Sequence, residues 1–172
     1  MGWMYLVFPL LALVATAIHL AVEPRSRNGA GVVEALLMYG LAFVVGLGGL
    51  WAASGHLLIP NRVAAMIGWP PGSPFQFEVG IANAAIGVLG ILALWMRGNF
   101  WVAAVIASTV WLWGDAVGHV RQITVAHDFA AGNAGPVLVS DILLPAVLIG
   151  LLISHLGHAR NARQTSFVRP YR

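Results

Sequence analysis

Five long apolar runs, each close to the length that crosses a bilayer, leave this chain little choice of architecture. A hydrocarbon core about 30 Å thick takes about 20 helical residues at 1.5 Å per residue. The runs extend from about Trp3 to Val22, Val32 to Leu58, Phe75 to Met96, Phe100 to Val125 and Val137 to Leu156. Each stops where a helix is hard to continue: Glu23-Pro24-Arg25, Pro60-Asn61, the connector from Trp69 to Pro74, Arg97-Gly98-Asn99, and the stretch from Ala130 to Pro136. Proline lacks an amide donor and disfavours helix in the residue before it. The runs are continuous rather than alternating, which argues against a membrane β-barrel. The expected fold is all-α: an integral membrane helical bundle of five transmembrane helices in residues 1–157, followed by a basic tail in residues 158–172.

Charge supports this. Charged residues make up 9% of the chain, against roughly 25% in a soluble domain. All nine basic residues are Arg, and they lie mostly in connectors and the tail, which reads as topogenic charge rather than a nucleic-acid surface. With the N-terminus outside, seven Arg fall on the inner side and only Arg62 and Arg121 on the outer, so the expected orientation is N-out, C-in, in a bacterial inner membrane. Ala15-Thr16-Ala17 has the form of a signal-peptidase site, but no basic residue precedes the run, so it reads as a retained span. The segment from Asn61 to Gly68 reads as a short interfacial helix. Trp3, Trp69, Trp95 and Trp101 read as an aromatic belt, and Trp111 and Trp113 as deeper packing residues. The absence of cysteine excludes disulfides, thiolate metal sites and thiol catalysis.

The ionisable residues left inside the spans are costly in lipid and therefore informative. His56, Glu78, Asp115, His119 and Asp141 are expected at similar depth in the outer half, on four helices, with Asn83, Arg121 and Gln122 nearby and Asn133 at the margin. Asp115 and His119 are four residues apart and share a helical face. The set permits three readings. It suits a divalent metal such as zinc, iron or manganese held by His56, Glu78, Asp115, His119 and Asp141. It suits a small-molecule or proton site using the same groups as acid and base, with Arg121 offsetting charge. It also suits a structural network in which Asp115 binds His119, Asp141 caps its helix and Glu78 pairs with an Arg. At the inner side Glu34 is expected to pair with Arg25, Arg27 or Arg97, while His127 and Asp128 read as solvated. Gly49, Ala53, Gly80, Gly87, Gly90, Gly114 and Gly118 permit close helix approach, within one chain or between copies.

The runs Ser54-Gly55-His56 to Pro60-Asn61, Ile67-Gly68-Trp69-Pro70 and Ser73 to Asn83, with Gly118-His119-Val120, Gly132-Asn133-Ala134-Gly135 and Asp141-Ile142-Leu143, resemble a family of small bacterial multi-pass membrane proteins of unknown function. The resemblance covers about residues 50 to 150. The layout is also distantly similar to the DoxX-like proteins, which implies a redox membrane subunit and a quinone. The function expected from the sequence is an outward-facing His/carboxylate pocket that binds a divalent metal or small polar ligand, within a quinone-linked membrane enzyme. Two alternatives stay open: a structural or accessory subunit of a larger membrane complex or homo-oligomer, and a proton- or ion-coupled transporter. Apart from the lipid bilayer no partner is specified, and the sequence leaves enzymatic activity undecided.

Overall fold

The computed structural model describes residues 4–167, and they are almost entirely helical. Helix α1 spans Met4–Val22 and a short 3-10 turn spans Pro24–Arg27. A continuous helical rod follows, made of α2 (Gly29–Tyr39), a π segment (Gly40–Leu47) and α3 (Gly48–Leu58). The remaining helices are α4 (Pro60–Ile67), α5 (Phe75–Leu92), α6 (Asn99–Ala126) and α7 (Pro136–Phe167). Among the described residues four helices are long and apolar enough to cross a membrane: Gly29–Leu58, Phe75–Leu92, Asn99–Ala126 and Pro136–Gln164. The first expected span corresponds to a further apolar helix, shorter than these over its fully described residues, Leu6–Val22. The short α4 falls where the sequence suggests an interfacial helix. The last helix runs past Leu156 into the stretch expected as a tail, because Leu156 to Phe167 holds no proline and only one glycine, Gly157. Trp3 lies outside the described residues.

Glycine decides how the rod meets α5. A Cβ on Gly90 would collide with the backbone of Gly46, one on Gly87 would come within 2.8 Å of Leu50 N, and one on Gly49 within 3.0 Å of Gly87 Cα. Two backbones therefore touch without intervening side chains, which maximises van der Waals contact where lipid supplies no hydrophobic driving force. The π segment sits in this crossing. The expected inward faces on the second and third spans are thus packed within one chain. The expectation fails for the fourth: Cβ atoms built on Gly114 and Gly118 would meet nothing within 4 Å, and the same holds for Gly150 and Gly157 on α7.

The apolar core gathers Leu37, Leu41 and Val45 of the rod, Trp101 and Val105 of α6, and Leu148 and Leu152 of α7. Trp101, expected in the aromatic belt, is 1% exposed, and its Nε1 donates to Ala93 O at 2.8 Å. Trp95, by contrast, is exposed. The core separates two polar ends of the bundle. At one end Arg97 pairs with Glu34, as one of the three expected partners, and its guanidinium also meets Met38 Sδ at 3.3 Å and the Trp101 ring at 5.6 Å. At this end Arg27 Nε and Nη2 donate to Leu20 O and Ala21 O at 2.7 and 2.9 Å, covering carbonyls that the end of α1 leaves open. The other end carries His56 and His119.

The crossing makes a direct prediction. Gly90→Ala should cost about 1–3 kcal/mol, because a methyl group has only backbone to displace, whereas Gly150→Ala should change stability by about 0.5 kcal/mol or less. Thermal unfolding of the two variants in mild detergent, followed by tryptophan fluorescence, tests the difference.

Candidate functional site

At the His119 end the chain leaves α4 through Gly68, whose φ of 80° is a left-handed conformation that glycine adopts without strain. The Asp128 carboxylate lies directly against Gly68, where any Cβ would collide with it. Four residues on, Gly132 N donates to Met66 O at 3.0 Å, so the loop between α6 and α7 is seated on the end of α4. Asp128 Oδ1 accepts from Ala130 N at 2.9 Å, whereas Oδ2 is buried and has no protein partner. Asp128, expected to be solvated, is therefore a structural residue of this loop.

The seated loop carries Asn133 into the bundle, where it is fully buried. Its Nδ2 donates to the Asp128 carbonyl at 2.7 Å, and this orients the amide, since the reverse placement would set two oxygens against each other. Asn133 Oδ1 consequently faces His119 Nδ1 at 2.7 Å, and Nδ1 must carry the proton. On the opposite edge of the ring, His119 Nε2 stands 3.5 Å from Asp141 Oδ2, and both side chains are largely buried. In a neutral ring of this tautomer, Nε2 is an acceptor facing an acceptor. One proton shared between Nε2 and Oδ2 removes the conflict, as imidazolium with carboxylate or as imidazole with carboxylic acid; either form leaves the pair without net charge.

Asp115 adds a second carboxylate one turn before His119. It is half-buried, close to Asp141, and has no hydrogen-bond or ion-pair partner among the described residues. His119 thus pairs with Asn133 and Asp141, not with Asp115, because Asp115 lies along its own helix while the other two approach from α7 and the preceding loop. Asp141 is in the second turn of α7, too far in to cap it.

The remaining candidates are placed elsewhere. His56 Nδ1 meets Gln76 Oε1 at 2.7 Å, joining the end of α3 to the start of α5. Gln76 is 2% exposed and its Nε2 is buried without a protein partner. Asn83 Nδ2 donates to Val79 O at 3.0 Å, and Asn83 Oδ1 accepts from Trp111 Nε1 at 3.3 Å, so Asn83 ties α5 to α6. Trp113 Nε1 donates to Ile142 O at 3.3 Å, linking α6 to α7. Glu78 and Arg121 are exposed and form no ion pair among the described residues, so Arg121 does not offset the buried carboxylates in the expected way. Gln122 lines a groove of about 750 Å³ with Trp69, Pro70, Phe75, Val79 and Ala126.

The five residues expected as metal ligands are not gathered into one set. Among the described residues no three His, Asp or Glu stand close enough to hold a metal ion. The surroundings agree: His119 Nδ1 is bonded to Asn133, His56 Nδ1 is bonded to Gln76, and Glu78 is exposed. Asn133 and Gln76, which complete the two histidine sites, are uncharged and carry little sequence signal on their own. The available hint was Gly132-Asn133-Ala134-Gly135, a turn-forming run with one polar side chain placed just before a helix.

Compared with known proteins, the chain matches, over residues 2–161, the model of a family of unknown function, DUF6790. No curated protein and no solved structure matches it, and these comparisons show no link to the DoxX-like proteins.

Replacing Asn133 tests the relay. Asn133→Ala strands a buried ring N–H and a buried carbonyl, and should cost about 1–3 kcal/mol. Arg121→Ala should change stability by about 0.5 kcal/mol or less. Denaturation in detergent, with both variants measured beside the parent protein, checks this.

Proposed function

Because the chain belongs to DUF6790, a family of unknown function, we propose its role from the site itself: a multi-pass membrane protein that holds a transferable proton between His119 and Asp141 and takes a small polar ligand beside it. The observation that carries this reading is the 3.5 Å approach of His119 Nε2 to Asp141 Oδ2, with Nδ1 already bonded to Asn133. The Asn133 bond holds the tautomer and ring orientation, so Nε2 is the position at which a proton enters or leaves. Asp141 is the counter-group, and Asp115, unpaired beside it, is the acceptor offered to a ligand's hydrogen-bond donor. A half-buried carboxylate without a partner is costly in apolar surroundings, and a ligand donor or a second proton relieves that cost. The groove along Gln122, one turn from His119, supports access from the same end.

A transport path receives no such support. Residues 35–55, 79–96, 98–114 and 142–154 contain neither a charged side chain nor a histidine, and the apolar core lies between the two polar ends. The reading is therefore a one-ended site. In the proposed orientation, N-out and C-in in a bacterial cytoplasmic membrane, the His119 end faces outward; the placement of Arg supports it.

One observation favours a second reading, an accessory subunit of a larger membrane complex. Gly114 and Gly118 on α6, and Gly150 and Gly157 on α7, present open small-residue faces of the kind by which helices associate in lipid. Copurification of a partner, lost on Gly114→Leu or Gly150→Leu, would support it over a self-contained binding protein.

Infrared difference spectroscopy between acid and alkaline pH tests the proton. The expected result is a carboxyl band that disappears in Asp141→Asn, shifts in His119→Gln and is unchanged in Glu78→Gln. Spectra of Asp141→Asn identical to those of the parent, over about pH 4 to 9, would overturn the reading. For orientation, a C-terminal fusion should fluoresce as a cytosolic reporter and be inactive as an exported phosphatase.

A further inference from the structure

At the opposite end of the bundle lies a cavity of about 140 Å³ that has no part in the His119 site. Its walls are His19 in the last turn of α1, Glu23 just after it, the turn containing Ser26, Glu34 and Met38 along α2, and Arg97 from the turn between α5 and α6. Here polar groups from four separate stretches of chain face one space.

The balance of donors and acceptors around that space is uneven. Arg97 is committed to Glu34 through one nitrogen, to Met38 Sδ through another and to the Trp101 ring through its face. Its bond to Glu34 uses one carboxylate oxygen, Oε1, and leaves Oε2. His19 uses Nδ1 on the Tyr39 hydroxyl at 3.3 Å and leaves Nε2. Glu23 opens the 3-10 turn without a side-chain hydrogen bond to it, so both its oxygens are uncommitted within that turn. The cavity therefore carries two carboxylates against one guanidinium, with a surplus of acceptors.

The complement of such a lining is a cation with several N–H donors. A bare metal ion does not suit it, since no three carboxylate or imidazole groups converge there and the space accommodates several non-hydrogen atoms. A quaternary ammonium has no N–H to give. We propose that this cavity binds a primary ammonium group, held by Glu23 and Glu34, with Arg97 and Trp101 fixing the position of Glu34. The two sources with that chemistry are a free small amine and the headgroup of an aminophospholipid.

The test uses the full chain and two probes, ethanolamine and phosphatidylethanolamine. Thermal unfolding in neutral detergent is followed against ethanolamine, with tetramethylammonium as the control lacking N–H donors. Native mass spectrometry follows phosphatidylethanolamine retained from mixed vesicles that also contain phosphatidylcholine and phosphatidylglycerol. The expected result is saturable stabilisation by ethanolamine, selective retention of phosphatidylethanolamine, or both, each weakened at least tenfold in Glu23→Gln and preserved in Glu78→Gln. Retention of the lipid without a response to ethanolamine assigns the ammonium to a headgroup, and the reverse assigns it to a soluble amine. Equal responses to ethanolamine and tetramethylammonium with no lipid selectivity, or effects that survive Glu23→Gln unchanged, overturn the proposal. Glu34→Gln removes the ion pair with Arg97 as well and can act through folding, so Glu23→Gln is the deciding variant.

Discussion

Backbone contact between the long rod and α5 is the constraint on which the remaining geometry depends. Gly46 and Gly49 meet Gly87 and Gly90 with no side chains between them, and in lipid such close packing takes the place of the hydrophobic effect that assembles soluble cores. The crossing places the end of α3 beside the start of α5, and this brings His56 to Gln76. It also presents Asn83 to Trp111, the side-chain link that draws α6 toward α5. Asp115 and His119 are carried on α6, so their depth and direction follow from that link.

Polar chemistry is confined to the two ends for the same physical reason. A charged group in the middle of the bundle would need a partner that the apolar core does not offer. The buried hydroxyls of Thr16 and Ser108 bond to their own helices, at Ala12 O and Val105 O. At the His119 end the cost of burial is met by a relay that begins at a backbone carbonyl and passes through Asn133 to the imidazole. At the Arg97 end it is met by an ion pair reinforced by sulfur and an aromatic face.

Much of the fold was legible because apolar length and chain breakers are local properties of sequence. The starts at Phe75 and Asn99 follow directly from Pro74 and Gly98, and α4 from the proline and the amphipathic run after it. The site was legible only in part. His119 and Asp141 were identified by their cost in lipid, but their pairing depends on a loop whose position is set by Gly68, Met66 and Gly132, none of which is chemically conspicuous. Asp115 and His119 share a helical face, and that spacing suggested a bond; what it could not convey was that α7 approaches more closely. The metal reading required Glu78 to turn inward, and a carboxylate in the first turn of a helix at the bundle's end can face outward at little cost.

The π segment has a consequence for how the chain can vary. A straight α-helix advances about 100° per residue, and the wider winding of Gly40–Leu47 resets that phase between α2 and α3. Loss of a single residue from this stretch would rotate everything after it by about that angle, turning Gly49 off α5 and His56 off Gln76 together. The number of residues between Glu34 and His56 therefore acts as a timing element, under tighter restraint than the identity of most side chains within it.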